Sequence, residues 1–529
     1  MSSFPVEIYC HILAQLPSIR DSDSSVYTLV NCSEANLLLR HASTFATLWR
    51  PHYEIRYRHS DEYKEKERRS ITGSDWRALY VERRKLESRA LETMRNVILG
   101  NTESFVPVGE EPGEEHNGHP VPWLQVVGRS IAQLGMDIYD MLDILQRTAP
   151  RMLRGAPREA ELAYEHPTSP WKSWAMYIKG LVLRHDAIRG WIRMKDNPEE
   201  MSFEKALAGL SAFHGVSYVE ISDALNSLAS ECRATFLASG VPIPENPMDL
   251  RPDDVAVVCE RICAFMRSKH FAARHSPVPA EDLFPHRFIT VPAARTNIPM
   301  ALVYVFVAIC RRFNIAASAT DFPSRVLAHV APGGGLPDFW VDVFSSETRA
   351  ILQRDEVLQI WNRIWAFTSP FSQFVEPCTP ATSLIRQANN ITASIRSAPN
   401  PSFESHSSTM YPVAAIVCFV GTMQWRTGFG VVPDIDLEAV LGDLMAPRLP
   451  PENGFHAILK TRKRLEGLSY FICRREVRSH DAAALLPKYF VGMVVGSSSD
   501  EFTAACIIDW IVSSSTSTPM RTFIILSVY

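Results

Sequence analysis

The stretch that most constrains this chain is residues 295–315, "RTNIPMALVYVFVAICRRFNI". It reads as one apolar helix starting near Pro299, whose ring pre-sets a first helical turn. The period then changes. "IAASAT" (315–320), "RVLAHV" (325–330) and "FWVDVF" (339–344) are short and β-branched or alternating, and "PGGGLPD" (332–338) supplies a hairpin loop. Three helical stripes precede them: Phe203, Leu207 and Leu210; Ile221, Leu225, Leu228 and Cys232; Val255, Val258, Ile262 and Phe265. Residues 201–366 are therefore expected to be an α+β module, a helix cluster followed by a small sheet.

The other regions read differently. In "FPVEIYCHILAQLPS" (4–18), Ile8, Ile12 and Leu16 recur every four residues beside Leu13, Glu7 suits the positive helix start, and Pro17 stops the helix. Leu29, Leu37, Leu38 and Trp49 are candidate core. Residues 53–70, "YEIRYRHSDEYKEKERRS", are dense in mixed charge and read as a solvated helix or loop. Residues 75–99 predict a long helix, 106–122 a loop, and 123–195 further helix. The whole of 53–200 reads as a helical linker region. Residues 367–408, rich in Ser, Thr, Pro and Asn, read as a linker. Residues 409–480 look helical, and 485–529 look like a small β domain. The expected class is multidomain: a mainly α N-terminal half, an α+β centre and a β-rich C-terminal segment.

Composition narrows the function classes. The formal charge is −4, with 54 basic and 58 acidic residues. That gives no global pull toward nucleic acid or anionic membrane. The longest apolar run, near "YPVAAIVCFVGTM", is shorter than the roughly 20 residues of a membrane span. The start lacks a basic region followed by an apolar core, so no secretory signal is read. Ten cysteines are scattered without a CxxC pair, which suits a reduced cytoplasmic or nuclear setting. Cys259 and Cys263 lie one helical turn apart and read as packing residues, because two ligands do not make a zinc site. "WRTGFG" (425–430) is too short for a phosphate loop. No metal or cofactor is expected.

Three segments resemble known families. "FPVEIYCHILAQLP" is similar to the start of an F-box, with Phe4 where Leu is usual. "LVNCSEANLLLRHASTFATLW" fits its second half, closing on Trp49. "SFEKALAGLSAF", "RTNIPMALVYVFVAICRRFNI", "TDFPSRVLAHV" and "FWVDVF" resemble, in order, the SirB-type transglutaminase-like module. "YFVGMVVGSSSDEFTAACIIDW" resembles the start of a YccV/HspQ-type hemimethylated-DNA-binding domain. Ser497, Ser498, Ser499, Asp500 and Glu501 replace its basic-aromatic turn, so this resemblance is partial. The layout is similar to that of the F-box only protein twenty-one family.

The resemblance implies a Skp adaptor bound through Phe4, Pro5, Val6, Ile8, Ile12, Leu13, Leu16 and Pro17. It implies a cullin-RING ligase as assembly and a protein substrate held by the downstream domains. A transglutaminase-type site needs a thiolate, a histidine and an orienting acid. The family's cysteine position falls near Pro299, where no nucleophile stands, and Cys310 lies about 16 Å further along the helix. The histidine position is Arg325. His329, four residues on, would be about 13 Å away along a strand. Asp342 alone matches, and it is expected to pair with Arg325. The expected role is thus a non-catalytic substrate receptor. The alternatives are a cysteine hydrolase or transamidase, and a DNA-associated protein, which the lost basic turn disfavours.

Overall fold

The computed structural model describes residues 4–98, 134–147, 170–240 and 250–397 (less 275–276, 324, 346–349 and 365–370), plus a few positions between 409 and 416. The expected helical region beyond 416, the β segment 485–529 and the 106–122 loop lie outside the described residues. Among the described residues helices dominate, with two small sheets. The chain divides into two compact units, one of Met1–Lys179 with Gly442–Tyr529, the other Gly180–Leu441.

The first unit holds α1 (Val6–Leu13), α2 (Ser24–Ala35), α3 (Leu37–Ser43), α4 (Ala46–Arg56), α5 (Glu62–Thr72), α6 (Trp76–Ile98) and α7 (Tyr139–Arg147). Side chains set several of the starts. Asn36 Oδ1 accepts from Leu39 N–H at 2.9 Å to cap α3, and Asp61 accepts from Tyr63 and Lys64 N–H to cap α5. Leu13, Leu29, Trp49, Tyr53, Tyr57, Leu79 and Tyr80 form the core.

The charged run 53–70 is not a solvated face. Arg56, His59, Asp61, Glu65 and Arg68 are buried. Their partners arrive from α6 and from the segment around α7. Arg56 lies 3.2 Å from Glu87 and 3.6 Å from Asp23. Arg68 lies 2.7 Å from Asp137 and 2.9 Å from Glu65, and Arg83 lies 3.4 Å from Asp137. His59 Nδ1 meets Asp140 Oδ1 at 2.8 Å. Asp143 holds Lys179 at 2.7 Å and Arg20 at 3.1 Å. Burial alone would raise the Asp140 carboxyl, but its side-chain and backbone bonds to His59 outweigh that and hold it low. A buried charge is tolerated only with such partners, and sequence proximity did not reveal them.

A helix over Pro170–Asp196 (α8) carries the boundary between the units. In the second unit follow α9 (Phe203–Ala208), α10 (Tyr218–Ala238), α11 (Val255–Ser268), β1 (Ala272–Ala273), α12 (Pro285–Thr290), β2 (Thr296–Asn297) and α13 (Pro299–Arg312). All three expected stripes are buried. Every residue of α13 from Met300 to Cys310 is buried, so helices or strands cover it on all sides. Arg312, at its end, donates to both Glu204 carboxylate oxygens at 2.7 and 3.0 Å.

The sheet follows as expected. Strands β3 (Ala316–Ala319), β4 (Ala328–Ala331), β5 (Phe339–Val341) and β6 (Ile351–Leu352) pair antiparallel in that order. Gly333, Gly334 and Gly335 all take positive φ in the β4–β5 loop, a conformation open to glycine. The helix α14 (Arg354–Ile364) and a short α15 (Ser372–Val375) seal a second core of Phe322, Leu327, Trp340, Val357, Trp361 and Val375.

The expected linker 367–408 contains a helix instead, α16 (Pro380–Ser397). Leu384, Gln387, Ala388, Ile391 and Ile395 form its buried face, and Gln387 Nε2 donates to the Leu283 carbonyl at 2.6 Å. The Ser/Thr/Asn content lies largely on the other positions and hid an ordinary amphipathic spacing.

Candidate functional site

Two places on the described chain correspond to the expected sites. The first is the outer face of α1 and α3, which pack against each other. Phe4, Ile8 and Ile12 recur every four residues and stand 64%, 45% and 59% exposed. Leu37 and Leu38 on α3 are 77% and 38% exposed, and Phe45 just beyond is 41% exposed. Six large apolar side chains open to solvent on adjoining elements exceed the single scattered residues of an ordinary monomer surface.

The eight expected adaptor contacts divide. Phe4, Pro5, Ile8, Ile12 and Pro17 are exposed. Leu13 is buried, and Val6 and Leu16 pack against the core from its edge. Those three hold α1 in place and do not form the open face. The reading of Leu37 and Leu38 as core is likewise corrected, whereas Leu29 and Trp49 are core. Apolar spacing marked the helices but could not tell which of two apolar sides faced inward. The signal that could have done so is the double stripe itself: α1 has apolar residues both at 4/8/12 and at 6/13/16, more than one buried side requires.

The second place is the expected catalytic position. Pro299 is the first residue of α13. Arg325 Nη1 lies 2.7 Å from Asp342 Oδ2, so the expected pair exists. The Asp342 side chain is 4% exposed and that of Arg325 42%. Burial pushes the Asp342 carboxyl up, and Arg325 with the Phe344 and Ser345 amides only partly counters it. Arg325 sits in the bend before β4 (Ala328–Ala331), not on the strand, so a separation from His329 counted in strand steps does not apply. His329 serves elsewhere. Its ring is buried edge-on against Trp340 at 5.5 Å, and its Nε2 lies 3.0 Å from Asp338 Oδ2.

Cys263, read from the sequence as a packing residue, is buried. Its thiol feels the Asp342 charge, yet burial first, with Cys259 and Asp342 adding to it, pushes it well above the ordinary thiol range. Cys310 is fully buried and raised for the same leading reason. A nucleophilic thiol needs the opposite shift, supplied by a nearby cation or a helix start. Among the described residues no three His, Cys, Asp or Glu are grouped to hold a metal ion, and no helix is long and apolar enough to cross a membrane.

Comparisons with protein-family models, with curated proteins and with solved structures found no match.

Proposed function

We propose that the chain is the substrate-recognition subunit of an SCF-type ubiquitin ligase, binding a Skp adaptor through α1 and α3 and substrate through its remaining surfaces. The observation that carries this reading is the exposure of the large apolar side chains Phe4, Ile8, Ile12, Leu37, Leu38 and Phe45 on and beside two helices that pack together. Burying each large aliphatic is worth about 1.5–3 kcal/mol. Several together offset the roughly 4–15 kcal/mol that association costs. The F-box resemblance of residues 4–50 names the partner that such residues would meet. In this role the chain raises the local concentration of substrate lysines near the conjugating enzyme and makes no bond itself. The transamidase alternative is weakened by Arg325 on the acid and by the raised, buried thiol of Cys263.

The test is co-purification of full-length chain with the Skp adaptor. Ile8→Asp with Ile12→Asp is expected to cut adaptor recovery by about tenfold or more while leaving the melting temperature unchanged. Val257→Asp, on an exposed residue of α11, serves as control and leaves recovery intact. Equal recovery with all three chains sinks the reading.

A further inference from the structure

We propose that the groove between α2 and α6 is a second binding site, and that it takes an acidic peptide carrying a bulky apolar side chain. On the reading above, that peptide belongs to the ubiquitination substrate. The cavity measures about 420 Å³, within the range of sites that hold one large group. Val26, Trp49 and Tyr80 floor it, and Tyr27, Val30 and Val81 wall it. Arg84, Lys85, Ser88 and Arg89 form the other end. On α6 these fall at 80/84/88 and 81/85/89, two adjoining rows of one helix face. The groove therefore passes from apolar to cationic within about two helical turns, each of ~5.4 Å.

The charges at that end are unbalanced. Asp23, the one acid lining the groove among the described residues, is already held by Arg56 at 3.6 Å, by Arg84 at 3.4 Å and by the Tyr80 hydroxyl at 2.9 Å. Arg84 is further tied to Glu87. Lys85 and Arg89 are exposed and form no ion pair among the described residues. They are also like charges at i and i+4, an arrangement that weakens a helix until an anion sits between them. The floor is fixed beforehand. Trp49 Nε1 donates to the Ser43 carbonyl at 2.6 Å, and the Tyr80 ring meets Trp49 edge-on at 5.7 Å. A rigid groove loses little freedom on binding.

The chemistry favours a peptide over a polyanion. Two unbalanced cations are few for nucleic acid, whose affinity grows with each phosphate neutralised. Trp49 and Tyr80 are too buried to offer open faces for base stacking. An apolar side chain over Val26 and Val30, with carboxylates one or two residues away, satisfies both ends.

The test pans a phage-displayed library of random peptides on the immobilised full-length chain. A synthetic fluorescein-labelled consensus peptide is then titrated by anisotropy. Enriched peptides are expected to place a bulky apolar residue beside two or more Asp or Glu. Affinity is expected to fall by about tenfold in Lys85→Glu with Arg89→Glu, to survive Lys85→Arg, and to weaken with salt. No enrichment, a basic or neutral consensus, or binding indifferent to the charge reversal overturns the proposal. So does a single-stranded oligonucleotide that displaces the peptide and shares its sensitivity. The adaptor assay runs in parallel: the α6 charge reversal should leave adaptor recovery intact, and Ile8→Asp with Ile12→Asp should leave peptide binding intact. Failure of one reading is thereby seen separately from failure of the other.

Discussion

The two units solve burial in opposite ways. The second unit threads α13 through its centre, apolar from Met300 to Cys310 on every side. The first unit packs its aromatic core beside a set of buried ions, with Arg56, Arg68 and Arg83 faced by Glu65, Glu87 and Asp137. An apolar helix tolerates its neighbours by shape alone. A buried cation tolerates only a carboxylate in the right place, so the ionic unit is the more specific and the more brittle. The difference also separates the functional expectations. The exposed apolar residues of α1 and α3 and the basic groove both belong to the unit whose interior is ionic.

Three outcomes break or sharpen this contrast. The largest is expected from Asp137→Ala. Arg68 reaches Asp137 at 2.7 and 2.8 Å and Arg83 at 3.4 Å, so the variant takes a shared carboxylate from two buried guanidiniums and leaves Glu65 to face both. Removal of one partner of such a set costs about 3–5 kcal/mol. Urea denaturation followed by Trp fluorescence reads it, and a loss under about 1 kcal/mol would mean that the network is solvated and the contrast wrong.

The second outcome concerns the apolar unit's own titratable weak point. His214 and His286 lie with ring centroids 5.1 Å apart, and His286 Nδ1 is 3.1 Å from Ser211 Oγ. Burial first, and nearby cations second, lower them from 6.5 to about 4 and about 3. Both are depressed bases, so the unfolded chain binds protons first. Their stabilising contribution is full above pH 6.5 and is lost as pH falls toward the folded values. The expected loss is about 2 kcal/mol per histidine between roughly pH 7 and 5. Thermal melts across that range, compared with a His214→Phe and His286→Gln chain, check it; equal pH slopes would remove these residues as the cause.

The smallest outcome is Arg325→Ala. Arg325 is 42% exposed, so solvent screens the pair and the loss at neutral pH is about 1 kcal/mol or less. The Asp342 carboxyl is already raised in the fold. Its ionisation therefore weakens the fold as pH rises, and more so without Arg325. The deficit should shrink as pH falls through the folded Asp342 value, and a deficit independent of pH would show that the pair does not govern it.

What the sequence disclosed follows from what is local. The helical stripes of the second unit, the start of α13 at Pro299 and the glycine loop between β4 and β5 depend on residues a few positions apart. The Arg325–Asp342 pair was also legible, because an unmatched acid facing an arginine constrains itself. The ionic interior was not. His59 meets Asp140 across 81 positions and Arg68 meets Asp137 across 69, so neither partner is visible from the other. The two sides of α1 were not separable in sequence: Ile8 and Ile12 are exposed, whereas Leu13 looked the same and is core. Helix α16 failed for a third reason, since its polar residues outweighed a correct apolar spacing in the composition.

Asp137, Asp140 and Asp143 have a consequence for the order of synthesis. A nascent chain that ends before Asp137 already contains Arg20, Arg56, Arg68 and Arg83, but lacks the carboxylates that hold three of them. Those cations keep their water until translation has passed residue 143. The ionic interior of the first six helices is therefore completed only by carboxylates on the segment 137–143.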